Sequence, residues 1–132
     1  MSEIPKDLRF TREHEWVRAE DDGTLTVGIT DHAQAELGDL VFVEAPEAGT
    51  SFGVGDAVAV VESVKAASDI YCPVAGEIVQ SNSGLDDAPE LINNDPYGEG
   101  WIFQVRPENS DDLADLLDAD AYNEFVESTD ND

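Results

Sequence analysis

The segment VVESVKAASDIYCPV, residues 60–74, decides the fold of this 132-residue chain. Runs of apolar and β-branched residues lie on either side of VKA, residues 64–66. Such runs are typical of β-strands, and so short a connection leaves room only for a tight turn. The segment therefore predicts a β-hairpin over about residues 57–74, with the side chain of Lys65 projecting into water at the tip.

Lys65 is unusual because the chain contains almost no lysine. Lys6 is the only other one, and the chain has 6 Lys and Arg residues against 31 Asp and Glu residues. Packing constrains a hairpin tip weakly, so it gives no reason to retain a lysine there. Two interpretations are open at this point: an ordinary solvated lysine, or an amine that accepts a covalent arm. The scarcity of lysine favours the second, because arginine would supply the charge but does not readily form an amide with a carboxylic acid.

The formal net charge is −25. Apolar residues make up 41% of the chain and the acids are scattered among them, so we expect one folded domain, residues 1–132, with an acidic surface. At molar salt the screening length falls to about 3 Å and self-repulsion weakens. We therefore expect a salt-adapted, halophilic protein; an acidic protein of an ordinary cytoplasm is the alternative. Without a basic patch, nucleic acid is not an expected partner.

Other compositional features exclude further classes of function. A single cysteine, Cys72, allows no intramolecular disulfide, and no segment has the length and hydrophobicity of a membrane span. The N-terminus lacks the apolar core of a signal peptide, so we expect a soluble, cytoplasmic protein. His14 and His32 stand among many acids without the spacing of a zinc site, so we expect no metal.

Strand patterns dominate the rest of the chain. Residues 15–30 predict a hairpin around the turn DDGT, and residues 76–82 and 101–107 predict two further strands. The runs GDLVFVE, residues 38–44, and GDAVAVVE, residues 55–62, resemble each other and suggest two similar hairpins packed face to face. Strands this short and regularly spaced predict a mainly β fold, a flattened barrel or sandwich of two antiparallel sheets.

Short helices are expected to accompany the sheets. TDHAQAEL, residues 30–37, predicts a helix capped by Asp31 and ended by Gly38. Residues 83–100 are rich in glycine and proline and predict an irregular loop. The apolar spacing of residues 110–127 predicts two short helices at the C-terminus, which lie against the sheets.

The hairpin segment also carries a family resemblance. ESVKAASDIYCPVAGEI, residues 62–78, resembles the lipoylation segment of the glycine cleavage system H proteins. TREHEWV, VGITDHAQAELGDLVFVE and LINNDPYGEGW, at residues 11–17, 27–44 and 91–101, extend the resemblance over nearly the whole chain. Val-Lys-Ala at the tip differs from the Met-Lys-Met of biotinyl carriers and the Asp-Lys-Ala of 2-oxoacid dehydrogenase lipoyl domains. The resemblance implies a fold of the lipoyl- and biotinyl-carrier type.

The resemblance also implies a function in glycine catabolism and one-carbon metabolism. Lys65 would carry lipoic acid as N6-lipoyllysine, and the chain would be a non-catalytic carrier rather than an enzyme. The arm would take an aminomethyl group from the decarboxylating P-protein to the aminomethyltransferase T-protein, and dihydrolipoyl dehydrogenase would reoxidise it. A lipoate-attaching enzyme would load the arm. The alternative is a relay that passes lipoyl groups from Lys65 to the domains of other enzymes.

Further site residues follow from the same resemblance. The candidates to line a cleft for the loaded arm are Glu15, with His14 beside it, and Asp69; a carboxylate there would pair with the ammonium group of the arm. The equally open alternative is that Glu15 and Asp69 are solvated surface acids. Trp16 and Trp101 are more typical of core packing. Cys72 is expected to be a small half-buried residue, although a thiol there could exchange with the arm's disulfide. The residues expected to be read by the lipoate-attaching enzyme flank the lysine: Glu62, Ser63, Val64, Ala66, Ala67, Ser68 and Asp69.

Overall fold

Nine β-strands form two antiparallel sheets in the computed structural model, which describes residues 8–109 and 116–130. One sheet has the order β1-β2-β3-β9-β8-β5 and the other the order β4-β6-β7. The predicted mainly β fold with two antiparallel sheets is thereby confirmed. The strands are β1 Arg9–Phe10, β2 Glu15–Ala19, β3 Leu25–Ile29, β4 Leu40–Glu44, β5 Ser51–Phe52, β6 Ala57–Ser63, β7 Ala67–Tyr71, β8 Gly76–Ser81 and β9 Phe103–Pro107.

Four helices connect or cover the sheets in the described residues: α1 Asp31–Leu37, α2 Gly84–Asp87, α3 Leu91–Asn94 and α4 Ala119–Asp130. The loop predicted over residues 83–100 is therefore wrong in part, since α2 and α3 are single helical turns within it. Their side chains Leu85 and Ile92 are buried in the core, and this burial stabilises turns too short to persist alone. Of the two C-terminal helices predicted over residues 110–127, α4 is present, and residues 110–115 lie outside the described residues.

The larger sheet is covered on both faces, and strand β2 contributes side chains to the apolar cluster on each face. Val17 belongs to the main apolar cluster between the two sheets, whereas its neighbour Trp16 belongs to a second cluster with Tyr122 of α4. Successive residues of a strand point to opposite faces, so one strand serves both clusters. Gly28 lies opposite Trp16, and a Cβ at Gly28 would come within 2.7 Å of the indole ring. The prediction that Trp16 is a core residue agrees with its complete burial; Trp101 is partly buried against the same cluster.

The N-cap of α1 is Thr30, not Asp31 as predicted. The Thr30 side chain accepts a hydrogen bond from the amide of Ala33 at 3.2 Å, and Asp31 is the first helical residue. Asp31 still favours the helix, because its carboxylate lies in the first turn and accepts from the Gln34 side chain. The predicted end at Gly38 is correct, with a φ of 84° that favours glycine.

The two similar Gly-Asp runs form neighbouring strands of one sheet. β4 and β6 pair antiparallel, with Val43 opposite Val61. The predicted pair of face-to-face hairpins is therefore wrong, since the two runs are joined edge to edge by backbone hydrogen bonds. The same pairing places the start of β4 beside the end of β6, next to Lys65.

Candidate functional site

The turn between β6 and β7 is organised by the side chain of Ser63. The Ser63 amide donates to the carbonyl oxygen of Ala66 at 2.7 Å. The Ser63 hydroxyl accepts from the amides of Lys65 and Ala66, at 3.3 and 3.0 Å. These bonds define the backbone of the turn, while the side chain of Lys65 between them is exposed.

A second set of contacts holds this turn against the segment between α1 and β4. The Val64 amide donates to the carbonyl oxygen of Asp39 at 3.1 Å. The Asn93 side chain braces that segment, because it accepts from the Leu40 amide at 2.9 Å and donates to the Gly38 carbonyl oxygen at 2.8 Å. Sequence reasoning gave Asn93 no role, although it lies in the quoted motif LINNDPYGEGW.

Gly38 gives the Lys65 side chain room. A Cβ at Gly38 would lie 3.4 Å from Lys65 Cε and 4.0 Å from its Nζ. The aliphatic stem of Lys65 therefore crosses bare backbone on its way to solvent. The remaining predicted recognition residues flank Lys65 in the chain: Glu62, Val64, Ala66, Ala67 and Asp69 are exposed, and Ser63 and Ser68 are half-buried.

Glu15 lies in a different place, at the start of β2. It is 1% exposed and lines a cavity of about 220 Å³. Its Oε1 accepts from the Thr11 hydroxyl at 3.1 Å, and its Oε2 accepts from the Tyr71 amide at 2.6 Å. The cavity therefore lies beside the end of β7 that is farther from Lys65. Its lining comprises residues 10–13, Glu15, 54–55, 71–73 and 116–117.

The burial of Glu15 changes its acidity. Desolvation, with a smaller contribution from the nearby charge of Glu13, raises the pKa of Glu15 from an ordinary value of 4.5 to about 7. The hydrogen bonds from Tyr71 and Thr11 oppose this shift without cancelling it. Near neutral pH the cavity therefore holds a carboxyl group that changes its protonation state easily.

His14 does not line this cavity. Its backbone has a φ of 66°, and its Nδ1 lies 2.7 Å from the Tyr122 hydroxyl of α4. Its ring centroid lies 4.7 Å from that of His32 and 5.8 Å from that of Phe125. The left-handed backbone at His14 separates it from Glu15, so the two neighbours serve different parts of the fold. Asp69 is also absent from the cavity lining and lies exposed on β7.

Cys72 is more buried than predicted, since it is 1% exposed rather than half-buried. Its thiol donates to the Val74 carbonyl oxygen at 2.9 Å. Burial raises the pKa of the Cys72 thiol to about 11, which disfavours the thiolate that disulfide exchange requires. These contacts support the packing role over the exchange role.

Within residues 8–109 and 116–130, no group of three or more His, Cys, Asp or Glu side chains is arranged to hold a metal ion. No helix there has both the length and the apolar character needed to cross a membrane.

Comparison with known proteins decides the family. The model of the glycine cleavage H-protein family matches residues 8–129. The chain belongs to the glycine cleavage H-protein family. It is 62% identical over 126 residues to the glycine cleavage system H protein of Alkalilimnicola ehrlichii, with 96% of this chain and 97% of that protein covered. The corresponding protein of Halorhodospira halophila is 60% identical over the same length and coverage.

A solved structure of the family agrees with the fold. The crystal structure of a glycine cleavage system H protein from Mycobacterium marinum superposes with a TM-score of 0.83 at 40% sequence identity. The superposition covers 96% of this chain and 98% of that one. The arrangement of two sheets around the Lys65 hairpin is therefore the arrangement of the family.

Proposed function

We propose that this chain is the lipoyl-bearing shuttle of the glycine cleavage system and that Lys65 is the residue that carries the lipoyl group. The observation that supports the assignment most directly is an exposed lysine on a turn whose backbone is fixed by Ser63. Gly38 leaves space for the stem, and the amine reaches solvent, so the residues present fit an amide-linked arm. When attached, the lipoyl group would supply a disulfide that accepts an aminomethyl group on one sulfur, and removal of that group would leave the attached arm as a dithiol.

The chain itself supplies a tether and a surface on which partners bind. A fixed turn holds the base of the arm, so the arm searches a limited volume and its effective concentration at a docked enzyme is high. The protein is a non-catalytic carrier that serves the P-protein, the T-protein and dihydrolipoyl dehydrogenase in the cytoplasm. The lipoate-attaching enzyme is its fourth partner.

The cavity beside Glu15 is proposed as the place where the loaded end of the arm rests. An arm that lies along β7 from Lys65 passes Asp69 and approaches the cavity beside Tyr71. An ammonium group there would meet the Glu15 carboxylate away from bulk water, where an ion pair is worth more than on the surface. His14 packs against α4, so the proposed cleft relies on Glu15 and not on His14, and Asp69 lies on the path of the arm toward the cleft.

The assignment of Lys65 is tested by mass mapping. The protein is incubated with a bacterial lipoate–protein ligase, lipoate and ATP, and its peptides are weighed. We expect the lipoyl mass on the peptide that contains Lys65, none in Lys65→Arg, and full modification in the matched control Lys6→Arg. A lipoyl group on Lys6, or modification of Lys65→Arg, would refute the assignment.

A further inference from the structure

Large apolar side chains gather around the Lys65 turn and are not used by the core. Among the described residues, Val41, Phe42 and Val64 are 54%, 49% and 71% exposed. The other exposed large apolar side chains among these residues are Val54, at 67%, and Val79, at 36%, and both belong to other parts of the fold. In a chain with a net charge of −25, clustered apolar groups beside a modification site indicate a binding surface.

A β-bulge produces this exposure. Leu40 pairs with Ser63, and Phe42 pairs with Glu62, so two steps along β4 correspond to one step along β6. The extra residue breaks the alternation of the strand, and both Val41 and Phe42 are exposed while Leu40 and Val43 are buried. Bulges re-aim side chains and occur beside functional sites. Here the bulge turns two successive apolar residues outward on a strand at the edge of its sheet.

The strand pairings place these residues beside the base of Lys65. Phe42 lies opposite Glu62, which lies opposite Ala67, so the three form one cross-strand row immediately below the turn. Val64 is tied to the residue before β4 through its bond to the Asp39 carbonyl oxygen. We call Val41, Phe42 and Val64 the β4 patch.

The rim of the β4 patch is acidic. Glu62 stands in the row of Phe42, and the second row beyond it places Glu44 and Asp69 on either side of Val60. All three acids are exposed. A partner that covers the patch therefore needs an apolar pocket with lysine or arginine around it.

We propose that the β4 patch is a docking surface for the enzyme that attaches lipoate to Lys65, and that β4 thereby extends the recognition surface beyond the hairpin. The proposal rests on the proposed function of Lys65. Among the partners, this enzyme alone acts on the Lys65 amine itself, so it must close over the surface at the base of the side chain. The other partners act on sulfur atoms at the far end of the arm and can stand farther from β4.

The reaction at this surface is an acyl transfer without redox change. The lipoate carboxylate is first activated with ATP as an acyl adenylate, and pyrophosphate leaves. The deprotonated Lys65 Nζ attacks the acyl carbon, the new C–N bond forms and the bond to the AMP oxygen breaks. AMP leaves, and the proton lost from the amine passes to the enzyme or to solvent.

A second copy of this chain is a poorer occupant of the patch. Two molecules that each carry a net charge of −25 repel one another, and the acidic rims would face each other. The same acidic residues attract a basic partner. The rim therefore favours a partner of opposite charge over self-association.

The test measures the rate of lipoylation of full-length variants. Phe42→Thr and Val41→Thr remove apolar surface, and both place on the strand a β-branched threonine, which suits a β-strand. Val79→Thr, on β8 of the other sheet, is the matched control. The probe is a bacterial lipoate–protein ligase with lipoate and ATP, and intact mass gives kcat/KM. We expect Phe42→Thr to lower kcat/KM about tenfold or more with complete final loading, because a tenfold loss corresponds to about 1.4 kcal/mol and central apolar anchors of an interface reach or exceed that cost.

Several results would overturn the proposal. Unchanged kcat/KM in both β4 variants would do so, and so would an equal loss in Val79→Thr. A loss confined to transfer by the T-protein, with normal lipoylation, would assign the patch to that partner instead. Wild-type dimers that dissociate in Phe42→Thr would assign it to self-association. Lipoylation of Lys65→Arg would refute the proposed function itself, which the β4 variants do not test.

Discussion

Replacing Glu15 by glutamine should stabilise the fold at alkaline pH and change it little in acid. The folded protein holds the pKa of Glu15 at about 7, above the ordinary value of 4.5. The folded state therefore binds this proton more tightly than the unfolded state. The contribution of this proton to the free energy of unfolding is fully present below pH 4.5 and is lost as the pH rises to about 7. Above pH 7 the folded protein carries a buried carboxylate that the unfolded chain would hydrate.

The magnitude follows from the shift in pKa. A shift of one unit corresponds to about 1.4 kcal/mol, so a rise from 4.5 to about 7 costs the fold about 3 kcal/mol at pH 8. Glutamine has no charge to desolvate. Glu15→Gln should therefore raise the free energy of unfolding by up to about 3 kcal/mol at pH 8 and by far less at pH 4.5.

The hydrogen bonds reduce this gain but do not reverse it. Both Glu15 oxygens accept, one from the Tyr71 amide and the other from the Thr11 hydroxyl. The glutamine carbonyl oxygen can keep the bond from the Tyr71 amide, whose direction the backbone fixes. The glutamine NH₂ group then faces the Thr11 hydroxyl, which can rotate to accept. An imperfect bond there costs about 1 kcal/mol at both pH values, so the difference between them keeps its sign.

Urea unfolding at pH 4.5 and pH 8 measures this difference. Both measurements are made in 1 M KCl, where the screening length is about 3 Å and the general repulsion among the acids is suppressed. Glu13→Gln is the matched control, since Glu13 is exposed in the same cavity lining and should show a small change at either pH. An equal effect of Glu15→Gln at pH 4.5 and pH 8 would refute the reasoning, as would an equal pH dependence in Glu13→Gln.

Two further predictions concern the loaded arm and the surface charge. The first starts from the arm loaded with its aminomethyl group, without T-protein, and follows the decay of the loaded form by mass. Glu15→Gln should shorten the lifetime of the loaded form, while Glu13→Gln should not. Equal decay in the two variants would exclude Glu15 from the cleft. Because the net charge is −25, we propose a salt-adapted surface, and the melting temperature should rise steadily as KCl increases from millimolar to molar; a flat or falling curve would contradict it.

The strands and the Lys65 turn were predictable because their signals are local. Strand-forming residues on both sides of residues 64–66 specify two strands, and so short a link specifies a turn. The helix at residues 30–37 was predictable for the same reason. Its cap was misassigned because Thr30 and Asp31 are both good capping residues. Only the backbone geometry decides between adjacent candidates.

The features that shape the proposed cleft were not predictable in this way. The separation of His14 from Glu15 depends on a left-handed backbone at a histidine, and no local preference requires it. The burial of Glu15 depends on Tyr71, which lies 56 residues away in the chain. The bulge that exposes Phe42 depends on the register between β4 and β6. Pairings between distant segments set these features, and the residue pattern of one segment does not contain them.

The destabilising charge of Glu15 and its proposed role have one physical origin. A carboxylate buried in a cavity with two neutral donors is only partly compensated, so it disfavours the folded state above pH 7. A cation placed beside it would lower its pKa and recover part of that free energy. A surface carboxylate would give a docked ammonium little, because water already solvates both charges. The folding free energy lost to the buried Glu15 carboxylate is therefore the source of the affinity with which the cavity would hold an ammonium group.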